Sequence, residues 1–97
     1  MVVEIQTFRL AAGADEAAFL AADQRLQAEL MVSAPGFVRR TTARDEQGGW
    51  AVVQLWASDR HAADAARWAD GSHPALAGFR RLLDPASLQV RRYTTLD

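Results

Sequence analysis

Apolar and polar residues alternate along four stretches of the chain, and each stretch is bounded by glycine, proline or a cluster of polar residues. These stretches are rich in β-branched and aromatic residues, and a period of two is typical of strands. The polar, glycine-ended loop at residues 45–49 indicates a hairpin between the second and third stretches. The pattern predicts strands at residues 2–10, 37–44, 49–57 and 88–96.

Between the first two strands, apolar residues recur every three to four positions, as in a helix with one buried face. This helix is predicted to begin at Asp15 or just before it and to stop at Pro35-Gly36, because proline cannot continue a helix. The predicted buried stripe is Phe19, Ala22, Leu26 and Leu30. The polar residues predicted on the opposite, mostly solvent-facing side are Asp23, Gln24, Gln27 and Glu29.

A second helical pattern follows the third strand, with Ser58 as its predicted N-cap. Residues 70–74 interrupt this pattern, and Ser72 is a candidate cap for the segment that follows. Helical spacing then resumes through Leu76, Phe79, Leu82 and Leu83, and Asp84-Pro85 ends it.

The element order is β-α-β-β-α-β, without repeats or linkers, over a single domain of residues 1–97. Short connections and right-handed crossovers place strands one and three in the centre of a four-stranded, antiparallel-type sheet. Both helices then cover one face of the sheet. The order predicts an α+β, ferredoxin-like fold.

Two helices leave the other sheet face uncovered, and the alternation sorts the strand residues into two sets. The small aliphatic set (Val3, Ile5, Ala51, Val53 and Leu55) suits the alanine-rich second helix and is predicted to face the helices. The aromatic set contains Phe8, Trp50 and Trp56, with Glu4, Gln6, Val52 and Gln54 beside them. An exposed aromatic patch is rare on monomers, so this set is predicted to form a homodimer interface. The opposite assignment of the two faces stays open.

Composition excludes several kinds of chemistry. Without cysteine or lysine there is no thiolate nucleophile, no Schiff base and no phosphate-binding loop of the P-loop type. A net charge of −1 with dispersed arginines gives no basic footprint for nucleic acid. No apolar run reaches a membrane span, and no signal-peptide pattern opens the chain. A cytoplasmic location is the expectation.

Three short motifs resemble those of the dimeric α+β barrel superfamily, and in particular its antibiotic biosynthesis monooxygenase-like group. They are Pro35-Gly36-Phe37, Trp56-Ala57-Ser58 and the interrupted helix that ends in Phe79. The resemblance implies a dimer with a pocket between helices and sheet, its mouth near the second helix. It also implies cofactor-independent oxygenation of polyketide-like aromatics or, in another branch, haem degradation. The chain departs from both patterns, since it contains no asparagine and has Gly78, Phe79 and Arg80 where the haem-degrading branch has a histidine.

Candidate site residues lie around the helix interruption. His73 is the predicted general base; the alternative is a loop histidine that caps the helix begun at Pro74. Trp68 and Phe79 are predicted pocket walls, although Trp68 could instead simply pack on the sheet. His61 is predicted to be solvated. His61 and His73 match no metal-binding pattern, so neither a metal nor a cofactor is expected.

These observations predict a homodimer that binds a hydrophobic or aromatic small molecule, with cofactor-independent monooxygenation as its candidate activity. The alternative is a non-catalytic dimeric module for ligand binding or assembly, with a pocket filled by its own side chains. Haem degradation is a third and weaker hypothesis.

Overall fold

The structure is a computed structural model that describes residues 1–68 and 73–96, with Trp68 described by its backbone alone. Ser72, the candidate cap, lies outside the described residues, as does the side chain of Trp68. The strands are β1 (Val2–Arg9), β2 (Phe37–Arg44), β3 (Gly49–Trp56) and β4 (Gln89–Thr94). The helices are α1 (Glu16–Glu29), α2 (Asp59–Trp68) and α3 (Pro74–Arg81), with short 3₁₀ turns at Met31–Ser33 and Pro85–Ser87.

The strands form one antiparallel sheet in the order β2-β3-β1-β4. The central positions of β1 and β3 and the ferredoxin-like architecture are therefore confirmed. The start of α1 follows the sequence, because Asp15 caps the helix by accepting a hydrogen bond from the Ala18 amide at 3.3 Å. The predicted stop at Pro35-Gly36 is too late, since α1 ends at Glu29 and the 3₁₀ turn Met31–Ser33 lies between. Among the described residues, no helix is long and apolar enough to cross a membrane.

The Pro35-Gly36 turn brings β2 close to the start of α2. Gly36 has φ +77°, and a Cβ at this position would overlap the ring of His61. The Gly36 carbonyl accepts a hydrogen bond from the Ala57 amide at 2.7 Å. Glycine is therefore required here both for its left-handed conformation and for the space it leaves.

The β2-β3 hairpin closes through the side chain of Asp45, which accepts hydrogen bonds from the amides of Gly49 and Gln47. These two bonds hold the pKa of the Asp45 carboxyl below its usual value. Further along the hairpin, the register shifts between Phe37 and Arg39. Because of this β-bulge, Arg40 rather than Arg39 lies opposite Gln54, on the helix-covered side.

The predicted assignment of the two sheet faces is wrong. Phe8, Trp50 and Trp56 are buried within the chain, at 3%, 6% and 2% exposure, and belong to the core beneath the helices. The Phe19 ring of α1 packs on Trp50 and Phe8, with centroids 4.7 and 5.7 Å apart. The three residues predicted to form a dimer interface are therefore core residues. Alternation decides which residues share a face, but it does not decide which face the helices cover.

The opposite side of the sheet, called here the open face, carries the small aliphatic set. Its central residues are only half-buried: Val3, Ile5, Ala51, Val53 and Leu55. In the described part of the chain, the buried helix residues all join the core on the other side. The open face is thus an apolar strip that this chain leaves accessible.

Candidate functional site

A cavity of about 210 Å³ lies between the helices and the covered face of the sheet. Its apolar wall comes from all three helices: Leu26, Ala62, Ala65, Leu76 and Phe79. The alanines of α2 leave this space because short side chains cannot fill the distance between helix and sheet. The cavity wall is therefore aliphatic and aromatic over most of its area.

The floor of the cavity is polar. Arg40, Gln54, Glu4 and Arg92 are cross-strand partners in one line across all four strands, called here the polar row. Gln54 Nε2 donates to Glu4 Oε1 at 3.1 Å, while Gln54 Oε1 accepts from Arg40 at 3.3 Å. Arg92 donates to Glu4 Oε2 at 3.2 Å. The amide of Gln54 thus links a buried cation to a buried carboxylate.

Asp23 of α1 completes the row at its β2 end. Its carboxylate forms an ion pair with Arg40, whose side chain is 2% exposed, and accepts a hydrogen bond from Thr42 at 2.7 Å. The prediction that Asp23 faces solvent is wrong. The spacing along the helix does indicate that Asp23 is buried, since it lies four residues after Phe19 and three before Leu26, on the buried stripe.

Two buried donors in this region find no acceptor among the described residues: Nε of Arg40 and Nε1 of Trp56. Both residues line the cavity. The Arg40 guanidinium also lies over the Phe79 ring, 5.2 Å from its centroid. Buried N–H groups without partners are rare in folded proteins, and neither of these two atoms has surface open to the cavity.

His73 is the N-cap of α3, which is the alternative to its predicted role as a general base. Its Nδ1 atom accepts a hydrogen bond from the Ala75 amide at 3.1 Å. It is not one of the described residues that line the cavity. Phe79 does lie in the cavity wall, 3% exposed. The ligand-binding role of Phe79 and the catalytic role of His73 stay predictions.

His61 is half-buried rather than solvated as predicted, because its ring packs against Gly36. Ser58 bonds to Nδ1 of this ring at 2.8 Å, and its hydroxyl accepts from the His61 amide at 3.2 Å. Within residues 1–68 and 73–96, no three histidine or acidic side chains come together as a possible metal site.

Comparison with solved structures shows the same fold in antibiotic biosynthesis monooxygenase-like proteins. SnoaB, a cofactor-independent oxygenase from Streptomyces nogalater, is 20% identical in its N63A mutant structure, with a TM-score of 0.79 over 99% of this chain and 93% of that one. An antibiotic biosynthesis monooxygenase-like protein from Bordetella bronchiseptica is 16% identical, with a TM-score of 0.80 over 98% and 96%.

Rv0793 from Mycobacterium tuberculosis is also similar, at 16% identity and a TM-score of 0.69 over 99% of this chain and 95% of that chain. No protein-family model and no curated protein sequence matches the chain. The resemblance inferred from the three short motifs is therefore confirmed at the level of the fold. At these identities the comparisons carry no activity over to this chain.

Proposed function

We propose that the chain is a homodimeric protein that binds a hydrophobic or aromatic small molecule in the cavity between helices and sheet. The observation that carries the proposal is an apolar cavity whose floor is the hydrogen-bonded polar row of Arg40, Gln54, Glu4 and Arg92. Ligand sites of this kind are mostly apolar, with a few polar groups that orient the ligand.

The size of the cavity limits the ligand. Pockets for drug-sized ligands hold roughly 300–1,000 Å³, and this cavity holds about 210 Å³. Phe79 and Trp56 offer ring surfaces for stacking, and Leu26 and Leu76 offer aliphatic contact. We therefore infer an aromatic ligand of about two fused rings.

Cofactor-independent oxygenation is the candidate activity. A phenol or enol that loses a proton transfers electrons to O₂ through its own carbanion, so the protein needs to supply a base and a dry cavity. For 1-naphthol and one O₂, the balanced products are the naphthoquinone and one water. The shared fold with a cofactor-independent oxygenase supports this activity. We propose His73 as the base; because it is not among the described lining residues, this role requires the substrate or a water to extend from the cavity to the start of α3.

The His73→Asn variant tests the activity and the base together. Asparagine is a good N-cap, so the free energy of unfolding should change by less than about 0.5 kcal/mol. Loss of a general base should lower turnover of 1-naphthol by about 100-fold or more. Oxygen uptake and quinone absorbance measure turnover. Unchanged turnover in the variant would restrict His73 to capping α3, and no turnover in the wild type would reject the oxygenase.

The homodimer is proposed to form through the open face, because its apolar strip is the surface that the helices leave accessible. A chain of this size buries only about 60–65% of its unfolded surface, so a second subunit would add substantially to the core. Sheet-to-sheet packing about a two-fold axis would bury Ile5 and Val53 of both copies.

Val53→Glu is expected to convert the dimer to a monomer, since two buried carboxylates would face each other at the centre of the interface. Light scattering after size-exclusion chromatography measures the mass. Leu20→Glu is the control, because Leu20 is 46% exposed on α1 and should leave the dimer intact. A wild type that is monomeric at micromolar concentration would contradict the proposed assembly.

The non-catalytic module remains the alternative function, and the absence of turnover combined with ligand binding would favour it. The version of this alternative in which the protein's own side chains fill the pocket is disfavoured, because the cavity is open. Haem degradation is the weaker hypothesis, since no histidine is found among the described residues that line the cavity. A Soret band on titration with haem would support it. A cytoplasmic location stays a prediction.

A further inference from the structure

The cavity between helices and sheet opens to solvent beside β4. The lining residues that are also exposed define its mouth: Ala66 of α2, Arg80 of α3, Leu88, and Val90 and Arg92 of β4. All six residues of β4 are exposed, whereas β1 and β3 each bury several residues. A ligand that enters through this mouth can therefore keep one end in water while the other lies in the cavity.

The charged residues of the lining do not balance. The lining contains one acidic residue, Glu4, and three basic ones, Arg40, Arg80 and Arg92. Asp23 forms an ion pair with Arg40 from outside the lining, and Glu4 forms one with Arg92. Arg80 is exposed and forms no ion pair with any other described residue. One positive charge therefore remains uncompensated at the mouth.

The Arg92 guanidinium is only partly engaged by Glu4. Its Nε and Nη2 atoms both approach Oε2 of Glu4 at 3.2 Å, whereas charge-assisted hydrogen bonds are usually about 2.7–2.9 Å long. The side chain of Arg92 is 34% exposed. Because an arginine presents five N–H donors in a planar fork that matches a carboxylate, Arg92 can donate to a ligand at the mouth and keep its contact with Glu4.

The mouth also has an apolar part, since Leu88 and Val90 lie in the lining and are exposed. A surface with both apolar and cationic residues suits a molecule with an apolar body and an anionic end. An anionic end at the mouth stays partly hydrated, so it avoids most of the cost of burying a charge.

We propose that the mouth of the cavity is a carboxylate-binding site, in which Arg80 and Arg92 bind the anionic end of the ligand while its apolar body lies in the cavity. The ligand is thereby an organic monoanion, whether its apolar body is a chain or a ring. Arg80 is the residue that distinguishes this ligand from a neutral one. This inference rests on the proposed ligand-binding function and specifies the polar end of its ligand.

The test compares octanoate with octanamide, which has the same shape but no charge. The wild type should bind octanoate about tenfold more tightly in calorimetric titration at low salt. Arg80→Gln removes the uncompensated charge and keeps helix propensity, because glutamine and arginine are similar helix formers. The variant should bind octanoate about fivefold more weakly, while its affinity for octanamide changes by less than about twofold.

Arg81→Gln is the matched control. Arg81 is the next residue of α3, is exposed like Arg80 and lies in the same last turn, but it is not in the cavity lining. Both arginines can stabilise the C-terminus of α3, so a loss seen only in Arg80→Gln reports on the ligand. Equal losses of octanoate affinity in the two variants would overturn the role of Arg80, and binding of octanamide would leave the ligand-binding function standing.

The salt dependence of the wild type gives a second readout that needs no variant. Raising the salt concentration from about 0.05 M to about 0.5 M should weaken octanoate binding several-fold and leave octanamide binding unchanged. Equal affinities of the two probes, with or without salt, would overturn the carboxylate-binding site. Failure of both probes to bind at millimolar concentration would reject the proposed ligand-binding function as well.

Discussion

Phe19→Ala is expected to lower the free energy of unfolding by about 3–5 kcal/mol, the usual cost of deleting a buried ring. Phe19 is completely buried, and its ring packs on Phe8 and Trp50 of the sheet and on Phe79 of α3. The substitution therefore removes the side chain that joins α1, α3 and the aromatic sheet face. Urea unfolding followed by circular dichroism measures the change.

Leu20→Ala is the matched control, because Leu20 is the next residue of α1 and is 46% exposed. Its effect should stay within about 0.5 kcal/mol. If both variants lost the same stability, or if Phe19→Ala lost less than about 1 kcal/mol, the assignment of the aromatic face to the helix-covered core would be contradicted.

Asp23→Ala is expected to destabilise the chain by a similar amount, about 3–5 kcal/mol, because it leaves the Arg40 guanidinium buried without its counter-charge. The Thr42 hydroxyl loses its acceptor at the same time. Chemical denaturation of the variant against the wild type measures this cost.

The exposed pair Glu16–Arg44 joins the same two elements, α1 and β2, and provides the control. Its side chains are 47% and 53% exposed, so Glu16→Ala should cost no more than about 1 kcal/mol. The double variant Asp23→Ala/Arg40→Met should regain part of the lost stability, since it removes the stranded charge. A double variant as unstable as the sum of the single ones would show that the two residues do not act as a pair.

Most of the fold follows from local signals in the sequence. The Asp15 cap and the polar hairpin loop reflect backbone chemistry that acts over a few residues, and the structure places both as predicted. Helix α1 ends at Glu29, before the predicted stop at Pro35-Gly36, and a 3₁₀ turn occupies Met31–Ser33. The order of the elements then leaves few topologies to choose from. Residues 70–72 of the predicted interruption lie outside the described residues, and the cap that the structure shows for α3 is His73.

The wrong assignment of the sheet faces has a physical cause. Helix α2 is rich in alanine, and that suggested a small aliphatic partner face. The structure instead fills the space with the large rings of Phe19 and Phe79, which come from the other two helices and meet Phe8 and Trp50. The size of the residues on one helix is therefore a poor guide to the face that a layer of three helices covers.

The polar row was predictable only in part. The alternation places Glu4 and Gln54 on the same sheet face, and the structure joins them by a hydrogen bond. Arg39 is exposed, and Arg40 takes the buried position because a one-residue bulge shifts the register. Such a bulge depends on how two strands pair, so single-sequence alternation does not reveal it.

The cavity beneath the helices is proposed to bind a hydrophobic or aromatic molecule, and an NMR titration of the wild type with 1-tetralone, an aromatic ketone, detects binding there. Binding in the cavity should shift the signals of the Trp56 indole N–H and of the methyl groups of Leu26 and Leu76, and should leave Val3 and Val53 of the open face unaffected. Shifts confined to the open face, or no shifts at millimolar ketone, would contradict it.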